Sequence, residues 1–316
     1  MKKVLITPRS FGKYNKDELI EKMKAHDIEP IFNPYGRILT EQEMQDELQG
    51  MDGVIVGVDP INTKVMENAK HLKVISKYGV GIDNIDSAYA NSKGILVTRT
   101  VNANTDAVAD YAMTLLMCVA RRVVEIDIGC HHEDWTKKEA LDVYGKKLGV
   151  LGLGAIGKGV VKRATGFDMK IYGYDVVRDE DFLKQYDVEF TDIDTIVKEC
   201  DFISLHLPLN EKTKHILNKD NLALAKDNLI IINTARGGLI DEEDLYDLLK
   251  YHKIYGLGLD VFEIEPPQDS KLLSLPNVVV SSHTAASSKG AINAMSIMAV
   301  DNLIETLKEE PIINRE

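Results

Sequence analysis

Three side chains suited to acid–base and ionic chemistry follow three successive apolar runs near the C-terminus. Arg236 comes after "NLIIINT", Glu265 closes "GLGLDVFEIE" along with Asp260 and Glu263, and His283 comes after "NVVVSS". An imidazole titrates near neutrality, so it can take a hydroxyl proton and give it back. A carboxylate beside it stabilises the imidazolium. A guanidinium is always charged and forks onto a carboxylate or carbonyl oxygen, where it also stabilises developing charge. Together they fit oxidation of a 2-hydroxy acid, in which a hydroxyl proton leaves while a hydride passes to a nicotinamide. Alone, His283 reads equally as a surface loop histidine and Arg236 as half of a structural ion pair. The small residues of "SSHTAASS" around His283 are expected to leave room for a substrate and a nicotinamide ring.

The partner such a site needs is a dinucleotide, and "VLGLGAIGKG" offers the cradle. Gly152, Gly154 and Gly157 form G-x-G-x-x-G between a strand-like run, "KLGVLGL", and a helical one, "IGKGVVKRAT". Such a turn lets backbone approach a pyrophosphate at a helix N-terminus. A second strand, "MKIYGYD", ends in Asp175, the expected place for a carboxylate that grips the adenosine ribose hydroxyls. A 2′-phosphate would meet repulsion there, so NAD is expected over NADP. Arg178, three residues on, would soften that preference.

These groups have to be positioned by strands and helices. Short apolar runs alternate with amphipathic stretches along all 316 residues, the pattern of βαβ units and parallel sheets. Eleven runs read as strands, from "KKVLITP" to "NVVVSSH". Length predicts two domains: a discontinuous substrate domain at 1–100 plus 287–316, and a dinucleotide-binding domain at 101–286. Between them a single helix is expected over 103–127, capped by Asn104 or Thr105, with an apolar stripe through Val108, Tyr111, Ala112, Leu115, Leu116 and Val119. A final helix is expected over about 287–309, with only "EPIINRE" behind it.

Composition excludes several classes. The net charge of −12, with basic residues scattered, argues against a nucleic-acid face. No run approaches the roughly 20 apolar residues of a membrane span, and the opening is too short for a signal peptide. Cys118, Cys130 and Cys200 are unpaired in pattern and read as reduced thiols of a cytosolic protein. "CHHEDW" is an adjacent cluster and a poor metal site, so no metal is expected. His206 is expected to be structural, and Met113 and Met117 to be core residues.

Taken together, "KYGVGIDNID", "VLGLGAIGKG", "NTARGGLID", "DVFEIEPP" and "SSHTAASS" resemble the D-isomer-specific 2-hydroxyacid dehydrogenases, most closely the 3-phosphoglycerate dehydrogenase branch. The resemblance implies an α/β fold of two Rossmann-like doubly wound parallel-sheet domains with the active cleft between them. It also implies NAD as cofactor and a homodimer formed through the cofactor domain. Arg236 would orient substrate, Glu265 would partner the base, and His283 would donate and accept the proton. Asp260 would reach the nicotinamide side with Thr234 nearby, Gly154, Ala155 and Ile156 would meet the pyrophosphate, and Leu207 would lie near the adenosine. Gly79 and Val80, next to Tyr78, would offer backbone N–H groups to the substrate carboxylate.

There are two departures. Phosphoglycerate-oxidising members commonly carry an arginine after the strand matching "GVIVGVDP", where it meets the phosphate. Gly57 stands there instead, with Lys77 or a partner subunit's arginine as possible substitutes. The base motif also reads "SSH" where proline commonly precedes the histidine. Hydroxypyruvate or glyoxylate reduction is the alternative activity. An NAD(H)-sensing corepressor-like binding protein is the alternative class, disfavoured because this chain lacks the extensions and peptide-docking clefts of such proteins. The longer phosphoglycerate dehydrogenases have C-terminal domains, some of which bind serine, and no such inhibition is expected here.

Overall fold

The computed structural model describes residues 1–308. The expected helix end near Glu309 and the "EPIINRE" tail lie outside the described residues. The chain divides into two units: one holds Met1–Asn104 and the stretch from Ser287 onward, the other Thr105–Ala286.

The first unit opens with β1 (Lys2–Ile6), α1 (Lys16–Lys24), β2 (Ile28–Phe32), α2 (Glu41–Glu47) and β3 (Gly53–Val56). It continues with α3 (Thr63–Glu67), β4 (Val74–Lys77), α4 (Ser87–Ser92) and β5 (Leu96–Arg99). The second unit begins with α5 (Thr105–Ala120), α6 (Val123–His131), β6 (Lys147–Leu151), α7 (Ala155–Ala164) and β7 (Lys170–Tyr174). Then come α8 (Glu180–Gln185), β8 (Val188–Phe190), α9 (Ile193–Glu199), β9 (Phe202–Leu205) and α10 (Lys219–Leu222). β10 (Ile230–Asn233), α11 (Glu242–Lys250), β11 (Gly256–Leu259) and β12 (Val278–Val280) complete it. The chain then returns to the first unit as α12 (Lys289–Lys308).

Both sheets are wholly parallel, ordered β2-β1-β3-β4-β5 in the first unit and β12-β11-β10-β9-β6-β7-β8 in the second. β3, β4, β9, β10 and β11 are buried at every position. Helices cover both faces of such a sheet, which is why these strands read as continuous apolar runs. In the second unit the two-residue period sorts the side chains. Ile230 and Ile232 pack toward α5 and α7, while Ile231 packs toward α9 and α11.

In the first unit Met44, Val65, Met66 and Ala90 of α2, α3 and α4, with Leu48 just after α2, cover Leu5, Val54, Val56 and Ile75. α12 belongs to the same unit and crosses β3, β4 and β5, with Ala291, Ile292, Met295, Ala299, Val300, Leu303, Ile304 and Leu307 buried. Ser76 Oγ donates to Ala299 O at 2.9 Å.

The helix expected over 103–127 is two helices. Arg122 turns left-handed, with φ 53°, and its guanidinium grips Glu125 through Nε at 2.7 Å and Nη2 at 2.9 Å. The break splits an all-round apolar run into two parts with different fates. α5 buries Val108, Ala109, Ala112, Met113, Leu115, Leu116, Val119 and Ala120 within its own unit, while α6 buries nothing. Tyr111 and Met117 are partly buried against the same core.

Candidate active site

β10 ends in Asn233, whose fully buried amide shapes the turn that follows. Its Nδ2 donates to Arg236 O at 2.8 Å and its Oδ1 accepts from Ala235 N at 3.0 Å. The turn presents Arg236, whose Nη1 donates to Ala235 O at 2.6 Å. Gly237 is obligatory for space, because a Cβ there would lie 1.9 Å from Phe262 C and 2.2 Å from Glu263 N. The Arg236 turn thus packs backbone to backbone on the turn that carries Glu265.

β11 delivers Asp260, 1% exposed, and that carboxylate builds the histidine loop. Oδ1 accepts from Ser281 Oγ at 2.6 Å and Thr284 N at 2.8 Å, and Oδ2 accepts from Ala285 N at 2.8 Å. Asp260 O accepts from His283 N at 2.9 Å. His283 sits in the left-handed region, φ 51°, a conformation that persists where surrounding bonds over-determine it. The Asp260 bonds do that here, and they also account for Ser281.

Glu265 meets the base. Its Oε1 accepts from Phe262 N at 3.1 Å and its Oε2 lies 2.8 Å from His283 Nδ1. Burial works to raise the Glu265 carboxyl. The hydrogen bond and charge of His283, the Phe262 N–H and the charge of Arg236 outweigh it and hold the carboxyl below its usual value. An ionised carboxylate only accepts, so Nδ1 carries the proton toward Glu265. Nε2 is left as the ring atom able to exchange a proton with a ligand. Three loops of one unit therefore assemble a cation, an acid and a base.

The dinucleotide cradle lies in the same unit, where the strand order reverses between β6 and β9, the usual ligand position in such sheets. Gly152 has φ 100°, and a Cβ there would lie 2.6 Å from His206 O. A Cβ on Gly157 would lie 1.9 Å from Gly152 O. Gly154 precedes α7 with no side-chain cap, and nothing stands within 4 Å of its Cβ position. The first-turn N–H groups of α7, at Ala155 and Ile156, have no acceptor within the helix, which suits a pyrophosphate. Asp175 follows β7 and is fixed from two sides: Oδ2 accepts from Leu153 N at 2.6 Å and Oδ1 from Val177 N at 3.0 Å. Arg178 pairs with Glu180 at 2.6 Å and stacks over Phe190.

Leu207 is buried, and Thr234 Oγ1 is buried without a hydrogen-bond partner, as expected of a group that awaits a ligand. These residues fit NAD. His206 Nε2 lies 2.8 Å from Ser204 Oγ, and burial pushes its imidazole down to about 3. It stays neutral and serves structure.

In the first unit Tyr78 turns inward, its hydroxyl donating to Ile292 O at 3.0 Å and lying 3.2 Å from Ser296 Oγ. The Gly79 N–H donates to Thr100 Oγ1 at 2.9 Å. Lys77, buried, donates from Nζ to Asn84 Oδ1 at 2.7 Å and to Gly57 O. Gly57 N donates to Thr7 Oγ1 at 3.3 Å, and Thr7 in turn donates to the buried carboxylate of Asp59.

Among the described residues no group of three His, Cys, Asp or Glu side chains could hold a metal ion, and no helix is long and apolar enough to cross a membrane. Sequence reasoning missed His215, which faces Asp241 and Glu263. "TKHILNKD" carries no spacing signal that ties it to either carboxylate.

The family model described as D-isomer specific 2-hydroxyacid dehydrogenase, NAD binding domain, matches residues 113–285. A hydroxypyruvate reductase of Thermotoga maritima is 42% identical over 275 residues, 85% of this chain and 89% of that protein. A D-3-phosphoglycerate dehydrogenase of Methanocaldococcus jannaschii is 41% identical over 276 residues, 86% of this chain, and that match spans 53% of the longer relative. The crystal structure of a glyoxylate reductase from Paecilomyes thermophila has a TM-score of 0.86 at 26% identity, covering 98% of this chain and 96% of that one.

Proposed function

The chain belongs to the D-isomer specific 2-hydroxyacid dehydrogenase family of NAD-dependent oxidoreductases, and from that premise we propose that it reduces a small unphosphorylated 2-oxo acid, with hydroxypyruvate and glyoxylate as the expected substrates. The observation that carries the chemistry is the 2.8 Å contact between His283 Nδ1 and Glu265 Oε2. It aims Nε2 outward as the proton donor to a carbonyl oxygen. Bound NADH would supply the hydride. Arg236 pairs with the substrate carboxylate and stabilises charge on the carbonyl oxygen as it develops. Glu265 stabilises the imidazolium before the proton leaves and fixes the ring's tautomer afterward. Asp175 favours NAD over NADP, and the Arg178–Glu180 pair supports this by occupying the nearest guanidinium.

The absence of a phosphate on the substrate is inferred from the segment after β3. It runs Gly57-Val58-Asp59-Pro60, with no cation and a buried carboxylate. Lys77 is occupied with Gly57 O and Asn84. Steady-state NADH oxidation with hydroxypyruvate, glyoxylate and phosphohydroxypyruvate tests the proposal. An unphosphorylated acid should lead in kcat/KM by about tenfold or more, the scale of a missing charged contact. A lead for phosphohydroxypyruvate would overturn the substrate assignment. We also infer a homodimer formed through the second unit, supported by the bare apolar surface of α6.

A further inference from the structure

We propose that His215 is a positioning residue that clamps the Arg236 turn to the Glu265 turn and thereby sets the geometry of the base pair. The inference rests on the reading that Arg236, Glu265 and His283 carry the chemistry. His215 lies in the segment before α10, far in sequence from all three, and takes a left-handed backbone with φ 50°. Its own N–H donates to Gly238 O at 2.8 Å, two residues past Arg236. The segment then zips along the same turn. Leu217 N donates to Leu239 O at 3.2 Å, Asp241 N donates to Leu217 O at 3.1 Å, and Leu217 forms a parallel bridge with Ile240.

The ring reaches both catalytic turns. Nδ1 lies 3.3 Å from Asp241 Oδ2, at the far end of the Arg236 turn. Nε2 lies 3.0 Å from Glu263 Oε1, two residues before Glu265. One ring thus lies between two carboxylates, one on each turn. Each of the two residues is itself anchored. Asp241 Oδ1 caps α11 by accepting from Asp244 N at 3.1 Å, and the Glu263 N–H donates to Glu242 Oε1 at 2.7 Å. Without the ring, the Glu263–Glu265 turn loses one of its ties to the Arg236 turn, while that bond and the tight Gly237 contact remain. Glu265 would then drift relative to both His283 and Arg236. No part of the reaction requires an imidazole at this place, and the ring's geometry accounts for one.

The test compares His215→Ala and His215→Gln with the unmodified protein. The first readout is the titration of the Glu265 carboxyl, followed by 13C NMR on glutamate-labelled protein and assigned with Glu265→Gln. Glu265 is held low by His283, Phe262 N–H and Arg236, so loosening its turn should move its titration up toward the ordinary range. The second readout is turnover of the best 2-oxo acid. His215→Ala should lower kcat about tenfold, inside the roughly 10²-fold that a small misplacement can cost. The KM for NADH should hold, because the Gly152–Gly157 cradle is untouched. His215→Gln keeps the volume and one donor, so it should fall between the two. An unmoved Glu265 titration in His215→Ala would overturn the proposal. So would a Gln variant no better than Ala, with melting temperature and NADH KM worsening alongside kcat, since that pattern marks general destabilisation. The titration needs no turnover and decides the matter even if no 2-oxo acid proves to be a substrate.

Discussion

At the residue scale, the role proposed for the His283–Glu265 pair predicts how activity responds to pH. The carboxyl of Glu265 lies below its usual value because His283, Phe262 N–H and Arg236 together outweigh burial. A group with a depressed folded value stabilises the folded pair above its ordinary titration range, and that contribution is lost as pH falls through the folded value. The Glu265 carboxylate therefore stays ionised from neutrality down past the ordinary range near 4.3 for glutamate. Glu265→Gln removes the charge that steadies the imidazolium, so the pH above which reduction declines should move acidward while turnover persists. His283→Ala should instead lose about 10² to 10⁴ in kcat, the usual cost of losing acid–base help. A pH–rate profile for Glu265→Gln that superimposes on the wild type would remove Glu265 from this role. Arg236, His283 and Asp175 stood out in the sequence because each ends or follows a strand-like run and its type restricts its chemistry, whereas Asp260, Glu263 and Glu265 shared one run and only the family resemblance picked out Glu265. The environment of Asp260 was not legible there. Its carboxylate binds Ser281, Thr284 N and Ala285 N, and which way a side chain turns depends on hydrogen bonds that only the folded loop supplies. Tyr78 is a similar case: its hydroxyl is drawn to Ile292 O on α12, more than two hundred residues away in sequence.

At the scale of elements, strands were easier to read than helices, for a physical reason. A parallel strand buried on both faces is a bare apolar run, so β3, β4, β6, β9, β10 and β11 announced themselves. β8 and β12 both have three residues at a sheet edge, but β12 is all valine whereas Glu189 interrupts β8, so only β12 reads as an apolar run. α5 and α6 fused in the sequence reading because both are apolar and neither Gly nor Pro separates them. The break comes from Arg122 and its grip on Glu125, and an arginine is not a residue that normally signals a left-handed turn. The tight contact between the Arg236 and Glu265 turns gives a second prediction. In Gly237→Ala the new methyl would meet backbone, Phe262 C at 1.9 Å, which cannot move aside cheaply. In Gly238→Ala the nearest atom is the Leu209 Cδ2 methyl at 3.2 Å, which can. Overpacking of the first kind costs about 1–3 kcal/mol, or about 2–4 °C of melting temperature per kcal/mol for a unit of this size. Gly237→Ala should therefore melt measurably lower and lose kcat, with Gly238→Ala close to wild type in both. Equal behaviour of the two variants in a thermal melt would contradict the backbone contact.

At the scale of the whole molecule, one surface calls for a partner. α6 is among the more apolar helices of the chain in sequence, yet none of its residues is buried. Val123 is 50% exposed, Val124 38% and Ile128 53%, and Trp135, a few residues beyond, is 80% exposed. Large apolar side chains left exposed together on one helix mark an interaction site more often than a chance surface. Aromatic and aliphatic side chains are also the groups that anchor interfaces. A net charge of −12 would oppose self-association at long range. In the dimer proposed above, the apolar contact would have to outweigh that repulsion, and added salt would tighten the assembly by screening it. The double variant Val124→Lys and Ile128→Asp places two charges in the middle of the patch and leaves the cores of both units untouched. Sedimentation velocity at micromolar concentration should show a dimer for the unmodified protein and a monomer for the variant. Thermal melting of the variant becomes the control, because a dissociated chain with intact units keeps most of its cooperativity. A monomeric unmodified protein would show that α6 serves no dimer. A variant that remains dimeric would place the contact on another surface of the chain.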